Sequence, residues 1–263
     1  MKKLIIQSDD LGISKAVTDG IVEAVKSGMV RCTGLFANMD SSEYAANRIK
    51  DFPEVCLGQD INIVAGKPCS DYKKIPSMVN EKGGFLTSSE SRKLDLLCDS
   101  HDHLVFEECI IEVEAQVLRF YELMGKYPDY LHGHSYATAT LNRAIDTISK
   151  KYRIPTTRFL KEKYNLTRPL KDWNQKPFEL EDQLNAKPLD AIMQDDYLQY
   201  DIGWIVFHCG YVDAPLFDVS TYTLIRTIDL KAVLSKELKD WIDNNHIQLI
   251  SYKELVTNES MCL

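Results

Sequence analysis

Along this chain short continuous apolar runs alternate with stretches in which apolar residues return every three or four positions. The first run, LIIQ, has the length of a strand. After Ser14, a residue suited to cap a helix, Val17, Ile21, Ala24 and Val25 fall at helical spacing until Gly28. Residues 31–39 (RCTGLFANM) then predict a second strand, 42–52 a second helix and 55–64 a third strand. The same rhythm continues with a helix over 107–125, a strand over 130–136 and a helix over 141–152. Strands are predicted at 156–159 and 202–209, one helix over 230–245 and a last strand at 247–251. Such alternation implies parallel strands wrapped by helices, as an open doubly wound sheet or a closed barrel.

Two stretches break the rhythm, 65–106 and 160–180, both rich in Pro, Lys and Asn. Long irregular connections inside a compact domain are usually lids or binding loops. The 263 residues suffice for one large domain, and 44% hydrophobic with 27% charged residues is an ordinary globular composition. A formal charge of -8 with no basic stripe argues against a nucleic-acid partner. No apolar run reaches the length of a membrane span, and LIIQ is too short for a secretory signal, so a cytoplasmic protein is expected. Seven scattered cysteines without a CxxC pair suit a reducing compartment. No GxGxxG or GxxxxGK[ST] loop follows a strand, which lowers the weight of nucleotide-binding folds.

The polar residues collect where the predicted strands end, the face on which parallel α/β folds carry their sites. The first strand ends in Asp9 and Asp10, the third carries Asp60, the fourth reads His132-Gly133-His134, and a late strand ends in His208. Carboxylate plus imidazole is a ligand set for zinc, iron, manganese or nickel. Each residue also has a plainer reading. Asp9 or Asp10 can cap the following helix, and His132 and His134, on one side of their strand, can be buried hydrogen-bonded histidines. Asp60 is the sharpest signal, since a carboxylate in an apolar strand requires a partner. A second HxH, within Asp99–His103, lies in a polar loop and reads as a solvated turn.

Taken in order, these segments resemble the YdjC-like carbohydrate deacetylases. The stretch SDDLGISKAVTDGIVEAVKSGMVRCTGLFANM is similar to that family's opening segment, in which a strand ends in DDFG and the next ends in a small residue and Asn, here Ala37-Asn38. LGQDINIVAGKP resembles its GxHLNLxxGKP segment, LHGHSYAT its DSHQHxH strand, TTRF its AVRxP strand, and HCGYVD with STYTLIRTIDL its HPGYxD and SxYxxxRxxEL segments.

The resemblance implies a distorted TIM-like β/α barrel spanning 1–263 and a divalent metal (Mg²⁺, Mn²⁺ or Zn²⁺). It also implies hydrolysis of an acetamide on a small carbohydrate, and a homodimer. It makes Asp9 the base and His208 the acid. Asp10, Asp60 and His134 become metal ligands, with His132 as an additional candidate, and Asn38, Arg158, Tyr211 and Arg226 become substrate contacts or carboxylate-orienting groups. Tyr72, Trp173, Trp204, Tyr211 and Tyr222 offer faces on which a pyranose could stack.

Two positions depart from the pattern in opposite senses: Asp60 stands where the family has His, and His132 where it has Asp. A carboxylate in place of an imidazole hardens the ligand set toward magnesium or manganese. Two rival readings follow. One is cleavage of a phosphorylated disaccharide by a pair of carboxylates, Asp9 and Asp60; the other is a sugar-binding relative without catalysis.

Overall fold

The computed structural model describes residues 1–99, 102–167, 173, 179–194 and 197–256. The chain opens with β1 (Lys3–Leu11), α1 (Lys15–Lys26), β2 (Cys32–Leu35), α2 (Ser42–Ile49) and β3 (Cys56–Ile61). Next come α3 (Ser88–Asp95), α4 (Phe106–Met124), β4 (Leu131–Gly133), α5 (Ala139–Tyr152) and α6 (Thr157–Lys163). The last third holds α7 (Leu180–Leu184), α8 (Pro188–Gln194), β5 (Ile202–Phe207), α9 (Ala214–Val219), α10 (Ile225–Val233), α11 (Lys236–Asn244), β6 (Gln248–Ile250) and α12 (Tyr252–Val256).

All strand pairs are parallel, in the order β4-β3-β2-β1-β5. β6 joins β1 along Lys3–Ile5, whereas β2 pairs with its later half from Gln7 to Leu11. The side between β4 and β5 carries no strand among the described residues. It is spanned by single parallel bridges, Leu131 to Thr156 and Thr167 to Gly203. This is a parallel sheet curled toward a barrel and wrapped by helices, as the alternation requires, and its irregular closure is that of the distorted barrel which the family resemblance implies.

Side-chain alternation sorts the strands into two faces. Ile5, Cys32, Cys56, Tyr130, Trp204, Val206 and Ile250 fill the concave interior with Tyr252. Leu4, Ile6, Leu35, Leu57, Ile205 and Phe207 face the other way, packing with Val17, Ile21 and Val25 of α1. Burying each such side chain contributes about 1.5 to 3 kcal/mol. Among the described residues no helix is long and apolar enough to cross a membrane.

Local chemistry explains where the elements differ from the predicted ones. TTRF is not a strand. Thr156 makes one sheet bridge, and its hydroxyl then accepts the Phe159 N–H at 3.1 Å, which starts α6. The helix predicted over 230–245 is two helices, because Ser235 accepts the Leu238 N–H at 3.1 Å and begins α11.

The 65–106 insertion is anchored rather than loose. Ile75, Met78, Phe85 and Leu104 share a core with Val113 and Val117 of α4. Buried Glu112 accepts the N–H groups of Cys69 and Ser70, each at 3.0 Å, and Glu108 that of Ser77 at 2.8 Å. Within the second irregular stretch, 168–172 and 174–178 lie outside the described residues, as do Ser100 and His101.

Candidate active site

The interior alternation of β1 runs Ile5, Gln7, Asp9, and period two would turn Asp10 outward to the helices. A register irregularity between Ser8 and Leu11 prevents this. Asp10 adopts φ +73°, a left-handed conformation uncommon for a residue with a side chain, and its N–H donates to Asp60 Oδ2 at 2.9 Å. Two consecutive carboxylates thereby stay in one cluster. The Ile13 N–H closes on the Asp10 carbonyl at 3.1 Å, and Ser14 then caps α1 by accepting the Val17 N–H at 3.2 Å. Capping thus falls to Ser14 rather than to either aspartate.

Each acid has its own neutralising partners. His134 Nδ1 lies 2.9 Å from Asp10 Oδ1, and the Arg226 guanidinium donates to Asp10 Oδ2 at 2.7 Å. Burial would raise the Asp10 carboxyl, but these two cations hold it well below the usual carboxylate range. Asp9 accepts from Gln7 Nε2 and faces His132 Nε2 at 3.4 Å. Burial is again outweighed, here by His132, and Asp9 stays below its ordinary value. Its partner shifts in the complementary sense: burial would lower His132, yet the Asp9 charge lifts it to about 9. His134 is likewise raised, because Asp10 outweighs its burial.

Asp60, fully buried, has the least compensation. Burial and then the charge of Asp9 push it up to about 8, so in the metal-free protein it is protonated at neutral pH. Its Oδ1 and Asp10 Oδ1 are buried without an aligned hydrogen-bond donor. His208 is moved the other way, down to about 4, chiefly by burial. Its ring lies 4.8 Å from that of Tyr222 with the planes tilted by 50°, and its backbone N–H donates to Asp229 Oδ2 at 2.8 Å.

Two donors on one divalent ion at about 2.0 to 2.2 Å stand roughly 3 Å apart. The spacing of Asp10 Oδ1 and His134 Nδ1 matches this, and Asp60 Oδ1 adds an unpartnered buried oxygen in the same cluster. The donor chemistry therefore fits a hard divalent cation. Among the described residues, however, no three His, Cys, Asp or Glu side chains already converge on one point.

The four other residues expected at the site fall differently. Arg226 is 1% exposed and also donates to the Tyr222 carbonyl at 2.7 Å, contacts that suit the carboxylate-orienting one of its two expected roles. Arg158 lies on the outer surface, paired with Asp146 of α5, because the residues read as a strand are the start of α6. Tyr211 is exposed and donates to Glu23 of α1. Asn38 ties the end of β2 to the insertion, donating to the carbonyls of Ala65 and Lys67 at 3.0 Å each and accepting from Asn62 at 3.1 Å.

Of the aromatic candidates, Trp204 fills the barrel interior, Tyr72 covers Gly83 within the insertion, and Trp173 donates to Asp229 at 2.8 Å. Of these, Tyr222 packs against a site ring, that of His208, at a tilt of 50°.

Three contributors are not evident from sequence. Thr157 contacts His132 Nδ1 at 2.8 Å, Phe36 meets the His134 ring edge-on at 4.8 Å, and Gln7 bonds Asp9. Gln7 had a readable signal: it sits two residues before Asp9 on one face of β1.

A curled parallel sheet with carboxylates and imidazoles gathered from β1, β3, β4 and the end of β5 defines a β/α-barrel protein with a polar site at its carboxyl face. The sequence profile of the YdjC-like protein family matches residues 3–244, and the chain belongs to that family. It is 29% identical over 272 residues to the carbohydrate deacetylase of Clostridium beijerinckii, covering 96% of this chain and 100% of that one. Carbohydrate deacetylase 2 of Listeria innocua is 28% identical over 265 residues, covering 96% and 98%. Among solved structures, a protein of Enterococcus faecalis assigned to cellobiose-phosphate cleavage superposes with a TM-score of 0.75 at 24% identity, covering 97% of this chain and 98% of that one. That likeness speaks to the fold.

Proposed function

We propose that this protein is a metal-dependent hydrolase that removes the acetyl group from an N-acetylated sugar or short oligosaccharide. The relatives named as carbohydrate deacetylases along the full chain support sugar deacetylation. The observation that carries the metal dependence is the close approach of Asp10 Oδ1 to His134 Nδ1 at 2.9 Å, in a cluster where Asp60 Oδ1 also lacks a donor. Asp10 and His134 would hold the ion, with Asp60 beside them. When bound, a divalent ion acidifies water and polarises an amide carbonyl.

The remaining chemistry belongs to side chains. Deacetylation takes one proton from the attacking water and delivers one to the sugar nitrogen. Asp9, kept ionised by His132, is the acceptor for the first. Its geometry is held from both sides, since Gln7 and His132 each face one of its carboxylate oxygens. His208 interacts electrostatically with both Asp9 and Asp10 and is neutral at pH 7. It would therefore protonate the leaving amine once the proton that Asp9 takes from water has been passed to it, so that one proton travels from water through Asp9 and His208 to the sugar nitrogen.

The test is acetate release from N-acetylglucosamine and its short oligomers, by chelator-treated protein to which Mg²⁺, Mn²⁺, Zn²⁺ or Co²⁺ is returned. Acetate that appears only with metal supports the reading. No acetate under any of these conditions overturns it, and glucose release from a phosphorylated disaccharide in the same assay would replace it.

A further inference from the structure

We propose that Asp95 and Tyr136 form a latch by which the insertion positions His134, a role that rests on the reading of His134 as an ion-holding residue. His134 follows the last residue of β4, and its own backbone tie to the sheet is the bond from its N–H to the Ile61 carbonyl at 3.0 Å. Ser135 follows at once with φ +55°, a left-handed conformation that a residue with a side chain keeps only where its surroundings over-determine it.

Those surroundings come from α3 and the turn after it. Arg92 donates to the Ser135 carbonyl at 2.9 Å, and the Tyr136 hydroxyl to Asp95 Oδ2 at 2.7 Å. Asp95 Oδ1 is held in turn by the N–H of His103 at 3.0 Å and by its ring Nδ1 at 2.7 Å. Asp102 accepts the Thr140 N–H at 3.1 Å. The His103 side chain is only 9% exposed, so the second HxH region is not a solvated turn at this residue.

The Tyr136 ring lies in the same buried cluster as Ile75, Met78 and Phe85, which places insertion and site turn in one core. Three bonds from residues 92–103, to Ser135, Tyr136 and Thr140, thus hold the segment next to His134, whose ring must stay within reach of Asp10. Displacing a site group by about 1 Å is enough to cost on the order of 100-fold in rate. Asp95 and Tyr136 touch neither substrate nor ion and are positioning residues.

Tyr136→Phe removes the donor of this bond and Asp95→Ala its acceptor, and the double variant tests whether they act through the same contact. Co²⁺ titration of the full chain, followed by the visible absorption of the bound ion, gives affinity and coordination. Acetate release gives kcat and KM. Each single variant is expected to weaken Co²⁺ binding about tenfold and lower kcat by a similar factor, with KM within about twofold, and the double variant to be no worse than the poorer single.

In the metal-free chain, the His134 ring NMR signal, assigned by its loss in His134→Gln, is expected to shift in both single variants. Multiplying losses, or wild-type Co²⁺ affinity, absorption and kcat in the variants, overturn the latch. Should wild-type protein take up no Co²⁺ and release no acetate, the proposed function fails instead. An unmoved His134 signal then overturns the latch separately, and a shifted one upholds the positioning.

Discussion

Asp60 and His132 are direct register partners across the β3 and β4 pair, so the carboxylate and the imidazole leave adjacent strands at the same height and on the same side. The two positions at which Asp and His are exchanged relative to the deacetylase pattern are therefore neighbours, and the exchange keeps one acid and one imidazole at one spot. Asp60→His with His132→Asp is expected to restore acetate release to within about tenfold of wild type. Each single change should lower it about 10- to 100-fold by leaving the cluster with an unmatched charge. Additive losses in the double variant would show that the two positions act independently.

Gly34 leaves the space in which the Asp60 carboxylate lies, since a Cβ there would overlap it. Gly34→Ala is expected to destabilise the fold by about 1 to 3 kcal/mol in urea unfolding. Activity should fall further than in a matched variant away from the cluster, because Asp60 has to move.

Arg226 compensates Asp10 in a site from which both are shielded from solvent. Arg226→Met leaves that carboxylate short of one cation, and a loss of about 3 to 5 kcal/mol is expected by urea unfolding of the metal-free chain. Arg226→Lys is expected to recover little, because one ammonium does not reproduce a planar fork that meets Asp10 Oδ2 and the Tyr222 carbonyl together.

His208 gives a pH dependence with a defined sign. Its folded value, about 4, lies below the ordinary 6.5, so between these limits the folded chain binds fewer protons than the unfolded one. Its contribution to stability is retained above about pH 6.5 and is lost as the pH falls toward 4, at up to about 1.4 kcal/mol per pH unit. Melting temperatures from pH 7.5 to 4, recorded by circular dichroism, should decline less steeply in His208→Gln than in wild type. Parallel curves would show that the ring is not held neutral.

Much of this architecture was legible before any coordinates. The opening βαβαβ unit follows the predicted order and element types, because strand runs, helical spacing and the Ser14 cap all point one way there, although β2 ends at Leu35 and β3 at Ile61, short of the predicted 39 and 64. The site's acids and imidazoles were also legible, as polar residues in strands that otherwise read as apolar. What stayed hidden depends on single backbone events. Period two places Asp10 on the outer face, and only its left-handed turn brings it back beside Asp60. Arg158 was projected from a strand that Thr156 converts into a helix cap. Arg226 bears the motif of a substrate contact, but whether a guanidinium meets solvent or a buried carboxylate is decided by the packing of α10 and not by its own neighbours in sequence.

The side of the sheet between β4 and β5 has a consequence for motion. Among the described residues its backbone hydrogen bonds include Leu131 N–H to Pro155, Thr167 N–H to Ile202 and Trp204 N–H to Thr167, at 2.8 to 3.2 Å, in place of a ladder of strand pairs. Single bridges part at less cost than a continuous ladder, so opening of the barrel should begin along this seam.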